Sequence, residues 1–422
     1  MSRFSTVTIS NIGATITGKT PSSDSPEDFG SEFPFVTPSD PFGQKYIEKT
    51  ERHLSKEGVR KLKGKLLPPE SIMVTCIGSA MGKVAMNRLP SITNQQINSI
   101  VVSDNHSPAY AYYTLLNNYK LLRNAAGGST ALPLLNKSDF DLLTIRIHSS
   151  KEEQQKIAAV LSALDAKIDC NNRINAELEA MAKTLYDYWF VQFDFPFDFA
   201  SGKPDKSGKP YKSSGGKMVY NPTLKREIPA GWKDSSILAV ADLLGGGTPT
   251  KKKPEYWNGD IPFFTPTDAD GTIFKFATAD FITEEGLKKS STKLFAKNTV
   301  FITARGSVGK LVLTGTDMAM NQSCYALRAK PGTSHTYLFF LAKELIHHLE
   351  VKSSGSVFNS IVSNDIEFTN LAIPDPTLVG KFAAVVEPVF ERIANNTKEN
   401  QHLTQLRDWL LPMLMNGQVR VV

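Results

Sequence analysis

Cysteine is scarce in this chain. Cys76, Cys170 and Cys324 are its only three, far apart and in no CxxC pair. An odd, scattered set builds no disulfide framework, and a reducing, cytoplasmic home is expected. Long apolar runs are missing as well. No stretch approaches the ~20 residues that cross a bilayer, and the opening MSRFSTVTIS lacks a signal-peptide core. No membrane partner is expected. Excess charge is modest: 48 Lys and Arg face 42 Asp and Glu, for a net +6 and a pI near 8.9. That balance allows a polyanionic partner without requiring one.

Signatures of catalysis are also lacking. GSAMGK (78–83) and GSVGK (306–310) resemble a phosphate loop but are too short, and Val84 or Leu311 follows where Ser or Thr is needed. Nucleotide hydrolysis is therefore not expected. The better reading is a tight turn after a strand that presents backbone N–H groups and one lysine to a phosphodiester; a plain hairpin turn is the alternative. No HExxH, GxSxG, GxGxxG or NPPY-like motif occurs, and the seven histidines form no quartet with cysteine. No metal site is expected, and the chain does not read as an enzyme by itself.

What is present is repetition. PFVTPSD at 34–40 returns as PFFTPTD at 262–268. At the same offset LSKEG (54–58) meets ITEEG (282–286), and IMVTCIGS (72–79) meets VFITARGS (300–307). After one deletion Gly82-Lys83 meets Gly309-Lys310, and Asn94-Gln95 meets Asn321-Gln322; further on Gly128-Ser129 meets Gly355-Ser356, and KIAAVL (156–161) meets KFAAVV (381–386). The chain is thus two copies of a unit of about 190 residues, too long for a solenoid repeat and suited to two like domains. At 41% hydrophobic and 21% charged, 422 residues carry proper cores for both.

Each copy reads as an α/β (α+β) domain followed by a long helix. Strands are expected at 72–77, 97–102, 298–304 and 324–330, and helices at 109–125 and 335–351. From Lys151 to Phe190 no Gly or Pro interrupts, so a helix of about 60 Å is possible. Its stripe, Ile157, Leu161, Leu164, Ile168, Asn171, Asn175, Leu178, Ala182, Leu185 and Trp189, steps by four and three like a coiled-coil seam. The second copy gives Phe382, Val386, Val389, Ile393, Asn396, Asn400, Leu403, Arg407, Leu410 and Leu414. Asparagines at matching seam positions cost stability but reject wrong registers, so the two helices are expected to pair. The alternative is that each packs on its own domain. Pro388 predicts an early break in the second helix. Residues 200–217, rich in Gly, Ser, Lys and Pro, read as a mobile linker, and FVQFDFPFDF (190–199) reads either as a docking strip or as ordinary packing.

The repeated polar residues are the candidate contacts: Thr37 with Thr265, Ser79 with Ser307, Lys83 with Lys310, and Gln95 with Gln322. Arg305 stands where the first copy has Ile77, and Lys251 and Lys252 add a basic edge where the first copy has only Lys19. Gln and Arg make bidentate bonds to base edges, and Lys suits phosphate.

Taken together, PFVTPSD with PFFTPTD, TARGSVGK with TCIGSAMGK, LLNKSDF (134–140), KEEQQKIAAVLSALDAKID (151–169), GKPYKSSGGKMVY (208–220) and REIPAGW (226–232) resemble the specificity subunit of type I restriction–modification enzymes across nearly the whole chain. Ile77-Gly78 departs from the family's Arg-Gly, so a role for Arg305 is not shared by both copies. The resemblance implies target-recognition domains at 1–147 and 231–374, helical spacers at 148–199 and 375–422, and a connection at 200–230. It implies an antiparallel, pseudo-twofold helix pair that sets the spacer of a bipartite double-stranded DNA site. It also implies two modification subunits that bring S-adenosylmethionine and adenine methylation, and restriction subunits that use ATP and Mg2+. No cofactor is expected in this chain. The rival readings are a nuclease or transferase with an unrecognised site, and a scaffold that no longer reads DNA.

Overall fold

The structure, a computed structural model, describes residues 3–22, 24–78, 81–125, 134–198, 203–204, 209–352 and 359–421. The chain forms two units: Met1–Asp169 with His402–Val422, and Cys170–Gln401. It passes between them at two points only, and both lie inside long helices, Lys151–Tyr186 and Pro376–Met415.

Unit 1 carries a five-stranded sheet in the order Gly13–Thr17, Ile97–Val102, Ile72–Thr75, Val84–Asn87, Tyr46–Ile47. The strand Ile72–Thr75 is buried throughout. Ile72 and Val74 face the cluster that includes Tyr113, Leu161 and Leu414, whereas Met73 faces Val36 and Phe42. Burial on both faces explains why it reads as a continuous apolar run instead of an alternating one. A second sheet orders Arg52–Leu54, Phe29–Val36 and Ile92–Thr93.

Unit 2 repeats this plan strand for strand: Ala241–Gly245, Cys324–Ala329, Val300–Thr303, Leu311–Thr314, Phe274–Lys275, then Asp280–Ile282, Trp257–Phe264, Ala319–Met320. Even the irregularity in the second sheet recurs, between Phe29 and Phe33 in one unit and Trp257 and Ile261 in the other.

The repeated heptapeptide is a turn that builds this sheet arrangement. Asp40 accepts from the Thr37 amide at 2.7 Å and the Glu51 amide at 3.2 Å. Asp268 accepts from the Thr265 amide at 2.8 Å and the Ala279 amide at 2.9 Å. Each buried carboxylate ties the end of one strand to a distant loop, so each copy needs the same residues there.

The long helices pair antiparallel within each unit. In unit 2 Asn171 donates to Asn400 Oδ1 at 2.9 Å and to Glu399 at 2.7 Å, Asn396 donates to Asn175 Oδ1 at 2.9 Å, and Asn400 donates to Asn172 at 2.8 Å. In unit 1 Leu411, Leu414 and Met415 of the second helix enter one core with Ile157 and Leu161 of the first. Arg407 donates to Asp165 there at 2.9 Å, with side chains 20% and 6% exposed.

Some sequence expectations need correction. Pro388 does not break the second helix, which is continuous from Pro376 to Met415. Pro388 and Ala384, whose carbonyl loses its donor, both lie on the exposed face, where the carbonyl is open to solvent. The helix expected over 109–125 divides at Asn118 into Pro108–Asn117 and Tyr119–Asn124. The linker reading fails over its second half. Tyr211 stacks on Phe195 at 4.7 Å, and Ser213 donates through its amide to Asp194 at 2.7 Å. Residues 199–202 and 205–208 lie outside the described residues. The aromatic strip is packing: Phe190, Phe193 and Phe195 are buried with Trp232 in the core of unit 2.

Asp268→Ala removes one acceptor from two separated amides. Hydrogen exchange at Thr265 and Ala279 is expected to quicken at least tenfold, about 1.4 kcal/mol of lost protection. Unchanged exchange at both amides would contradict the turn's role.

Candidate nucleic-acid interface

Neighbouring strands in each five-stranded sheet run antiparallel over the first four positions. The C-terminal end of Gly13–Thr17, the N-terminal end of Ile97–Val102, the C-terminal end of Ile72–Thr75 and the N-terminal end of Val84–Asn87 therefore share one edge. The loops at that edge hold most of the candidate residues of the first copy. The heptapeptide turn joins them, because the Asn94 amide donates to Val36 O at 2.9 Å. The second copy assembles the same loops at its own edge.

Glutamine is the best presented of these side chains. Asn94 accepts from the Gln96 amide at 3.0 Å and Asn321 from the Ser323 amide at 3.0 Å. Each asparagine closes a tight turn and leaves Gln95 or Gln322 exposed at its tip. Thr20 donates to Gln95 Oε1 at 2.6 Å, and Thr248 donates likewise to Gln322 Oε1. The threonine holds the carboxamide carbonyl, which leaves the amide NH2 as the group's donor pair. Sequence reading passed over Thr20 and Thr248, although GKTP and GGTP repeat at the common offset. The glycine ahead of each lets the loops meet: a Cβ on Gly18 would lie 2.2 Å from Asn94 O, and one on Gly246 would lie 2.1 Å from Asn321 O.

Other candidates are placed differently. The hydroxyls of Thr37 and Thr265 are turned into their own turns, bonded to Asp40 at 3.0 Å and Asp268 at 2.8 Å. In the glycine-lysine hairpins the glycine and lysine amides are bonded within the hairpin. Thr75 Oγ1 takes the Lys83 amide at 3.1 Å, Thr303 Oγ1 takes the Lys310 amide at 2.9 Å, and Gly82 and Gly309 donate to the backbone of the same threonines. Gly78, Gly82, Gly306 and Gly309 all adopt left-handed φ, between 76° and 86°, which keeps the hairpins tight. Lys83 is exposed, whereas the Lys310 ammonium folds back to Ala269 O at 2.8 Å. Arg305 and Ser307 are exposed on the hairpin of unit 2. Ser79 lies outside the described residues.

Lys251 and Lys252 are exposed on the loop that follows Thr248. Unit 1 has Asp24 where unit 2 has Lys252, so the two edges share a frame and differ strongly in charge. Such an arrangement suits anionic ligands of two kinds more than one ligand bound twice. Among the described residues no group of three or more His, Cys, Asp or Glu is placed to hold a metal ion, and no helix is long and apolar enough to cross a membrane.

Comparison with known proteins agrees with this geometry. The type I restriction modification DNA specificity domain matches residues 1–180 and again 229–405. The chain is 29% identical over 422 residues to the type I restriction enzyme MjaIX specificity subunit of Methanocaldococcus jannaschii, covering 98% of this chain and 93% of that one. It is 24% identical over 358 residues to the HindI specificity subunit of Haemophilus influenzae, covering 74% and 77% respectively. The crystal structure of the S subunit of a type I restriction–modification system from M. genitalium shares the fold, with TM-score 0.55 at 15% identity over 98% of this chain and 96% of that one.

Proposed function

The chain belongs to the type I restriction–modification DNA specificity family, and on that premise we propose how its two units divide the work. It is a specificity subunit, the non-catalytic component of a type I restriction enzyme. Each unit reads one half of a bipartite double-stranded site through its loop edge. The observation that carries this reading is the duplicated edge itself: one frame, built twice, with different charges and side chains on it. Features common to both copies, such as Gln95 with Gln322, suit what two half-sites have in common, and differences such as Ile77 against Arg305 suit what distinguishes them.

The helices carry two further roles in this proposal. They are the only segments through which the chain passes between units, so their length sets the unread spacer. They also offer apolar surface for the modification subunits. Met181 is 64% exposed beside a shallow groove of about 710 Å³ that includes Thr184 and Tyr188. The repeat places Leu406 and Trp409, also exposed, at the positions equivalent to Met181 and Thr184. Two equivalent apolar faces suit two copies of one partner. S-adenosylmethionine, ATP and Mg2+ are assigned to partner subunits, as is the chemistry they support.

Footprinting of the chain bound with its modification subunits tests the reading. Two protected blocks separated by an unprotected spacer are expected; a single continuous block would contradict it.

Gln322→Ala is expected to weaken the half-site of unit 2 by about 1–3 kcal/mol, and Thr248→Val, which frees the carboxamide, by part of that amount. Equal losses at both half-sites, measured by competition with singly altered sites, would contradict separate reading. One heptad inserted after Asp169 and another after Gln401 preserve the pairing and add ~10.5 Å of helix. The selected spacer is then expected to lengthen by about 3 base pairs at 3.4 Å each. An unchanged spacer would show that the helices do not set it.

A further inference from the structure

The helix seam treats the two units unequally. Its asparagine rungs are symmetric under the repeat: Asn171 is equivalent to Asn396 and Asn175 to Asn400, so Asn171–Asn400 and Asn396–Asn175 are one contact made twice. Such rungs fix register. They do not tell one copy's helix from the other's, because two first helices laid antiparallel would form them equally well.

A different rung breaks the symmetry. In unit 1 the Asp165 carboxylate accepts from Arg407 Nη1 at 2.9 Å and from the Tyr113 hydroxyl. Behind Tyr113 lies Lys45, a buried lysine that donates to Ser162 Oγ at 2.7 Å and sits 4.8 Å from the Tyr113 ring centre. Burial lowers the pKa of Lys45, and the Asp165 carboxylate opposes that shift. Burial, then Asp165, pushes the Tyr113 hydroxyl upward. Arg407 also donates to Asp408, its exposed neighbour in sequence.

The equivalent place in unit 2 is hydrocarbon. Phe390 stands for Asp165, Ala182 for Arg407, Phe340 for Tyr113 and Ile273 for Lys45. All four are buried in one apolar cluster, with Phe340 and Phe390 ring centres 5.6 Å apart. One position in the same frame is therefore ionic in one unit and aromatic in the other.

Changing the partner exposes the consequence. First helix against first helix would set Asp165 beside Ala182 and leave a buried carboxylate without its guanidinium. Second against second would set Arg407 beside Phe390, with no acid across the seam. Only the unlike pairing sets this guanidinium against this carboxylate across the seam, and a buried charge that loses a partner is heavily penalised. We propose that the Asp165–Arg407 rung, backed by Tyr113 and Lys45, makes each first half take a second half as partner and excludes pairing between like halves of two chains.

The test frees the halves without removing any of the chain. A protease site is placed between Pro204 and Lys209 and cut after folding. The nicked complex is then cycled through denaturant, and native mass spectrometry distinguishes like from unlike pairs by mass. The wild-type sequence is expected to return almost wholly as unlike pairs. The variant K45I/Y113F/D165F/R407A, which gives unit 1 the residues of unit 2, is expected to approach the roughly one-half of like pairs that random association gives. Wild-type halves that scramble, or a variant that forms only unlike pairs, would overturn the proposal. Should that variant fail to refold, the charge exchange D165R/R407D decides. Its own halves are expected to re-pair, whereas wild-type first halves mixed with exchanged second halves pair about tenfold less or worse. Equal pairing in the two mixtures would overturn it.

Discussion

The antiparallel pairing of the two long helices is the constraint on which the rest depends. Neither helix has a complete partner surface within its own copy. Residues 151–169 of the first pack with 402–415 of the second in unit 1, and residues 170–186 of the first pack with 376–401 of the second in unit 2. Each unit is thus completed by helix from the other copy. A gene duplication alone would leave each domain with only its own helix; the seam is what gives each its second one. Stiffness is what a spacer needs, because a helix has a fixed rise per residue and a linker does not.

The seam spends stability on order. Amides at Asn171, Asn175, Asn396 and Asn400 occupy positions where leucine would bury more hydrocarbon, and their mutual hydrogen bonds return only part of that difference. Apolar packing toward the helix ends opposes that loss. In unit 2 Tyr186, Trp189 and Phe190 of the first long helical run meet Phe382 of the second within 5.0–6.1 Å between ring centres. Rings of this size bury the most surface per residue, so the helix ends anchor what the asparagines align.

Much of this was legible in the sequence, for physical reasons. A repeat of 3.5 residues survives as spacing, and Asn at a seam position is conspicuous because it is polar where its neighbours are not. The same logic hid Arg407 and Asp165. Arg407 was read on the seam without a partner, and Asp165 was not read on it at all. A buried ion pair looks like two solvated charges until the fold joins them. The loop residues were harder still. Thr37 and Thr265 repeat because a turn needs them, while Thr20 and Thr248 repeat because they hold a glutamine, and repetition alone does not separate those causes. Pro388 misled because its cost depends on which face it occupies, and that is a property of packing.

The central claim is that one reading frame was copied and each copy acts on its own half of the site. A chimaera in which residues 231–374 also replace 1–147 tests it most directly, with the bound site selected from random double-stranded DNA in the presence of the modification subunits. The account predicts an inverted repeat, the half-site of unit 2 facing itself across the unaltered spacer. Recovery of the parental asymmetric site would contradict it.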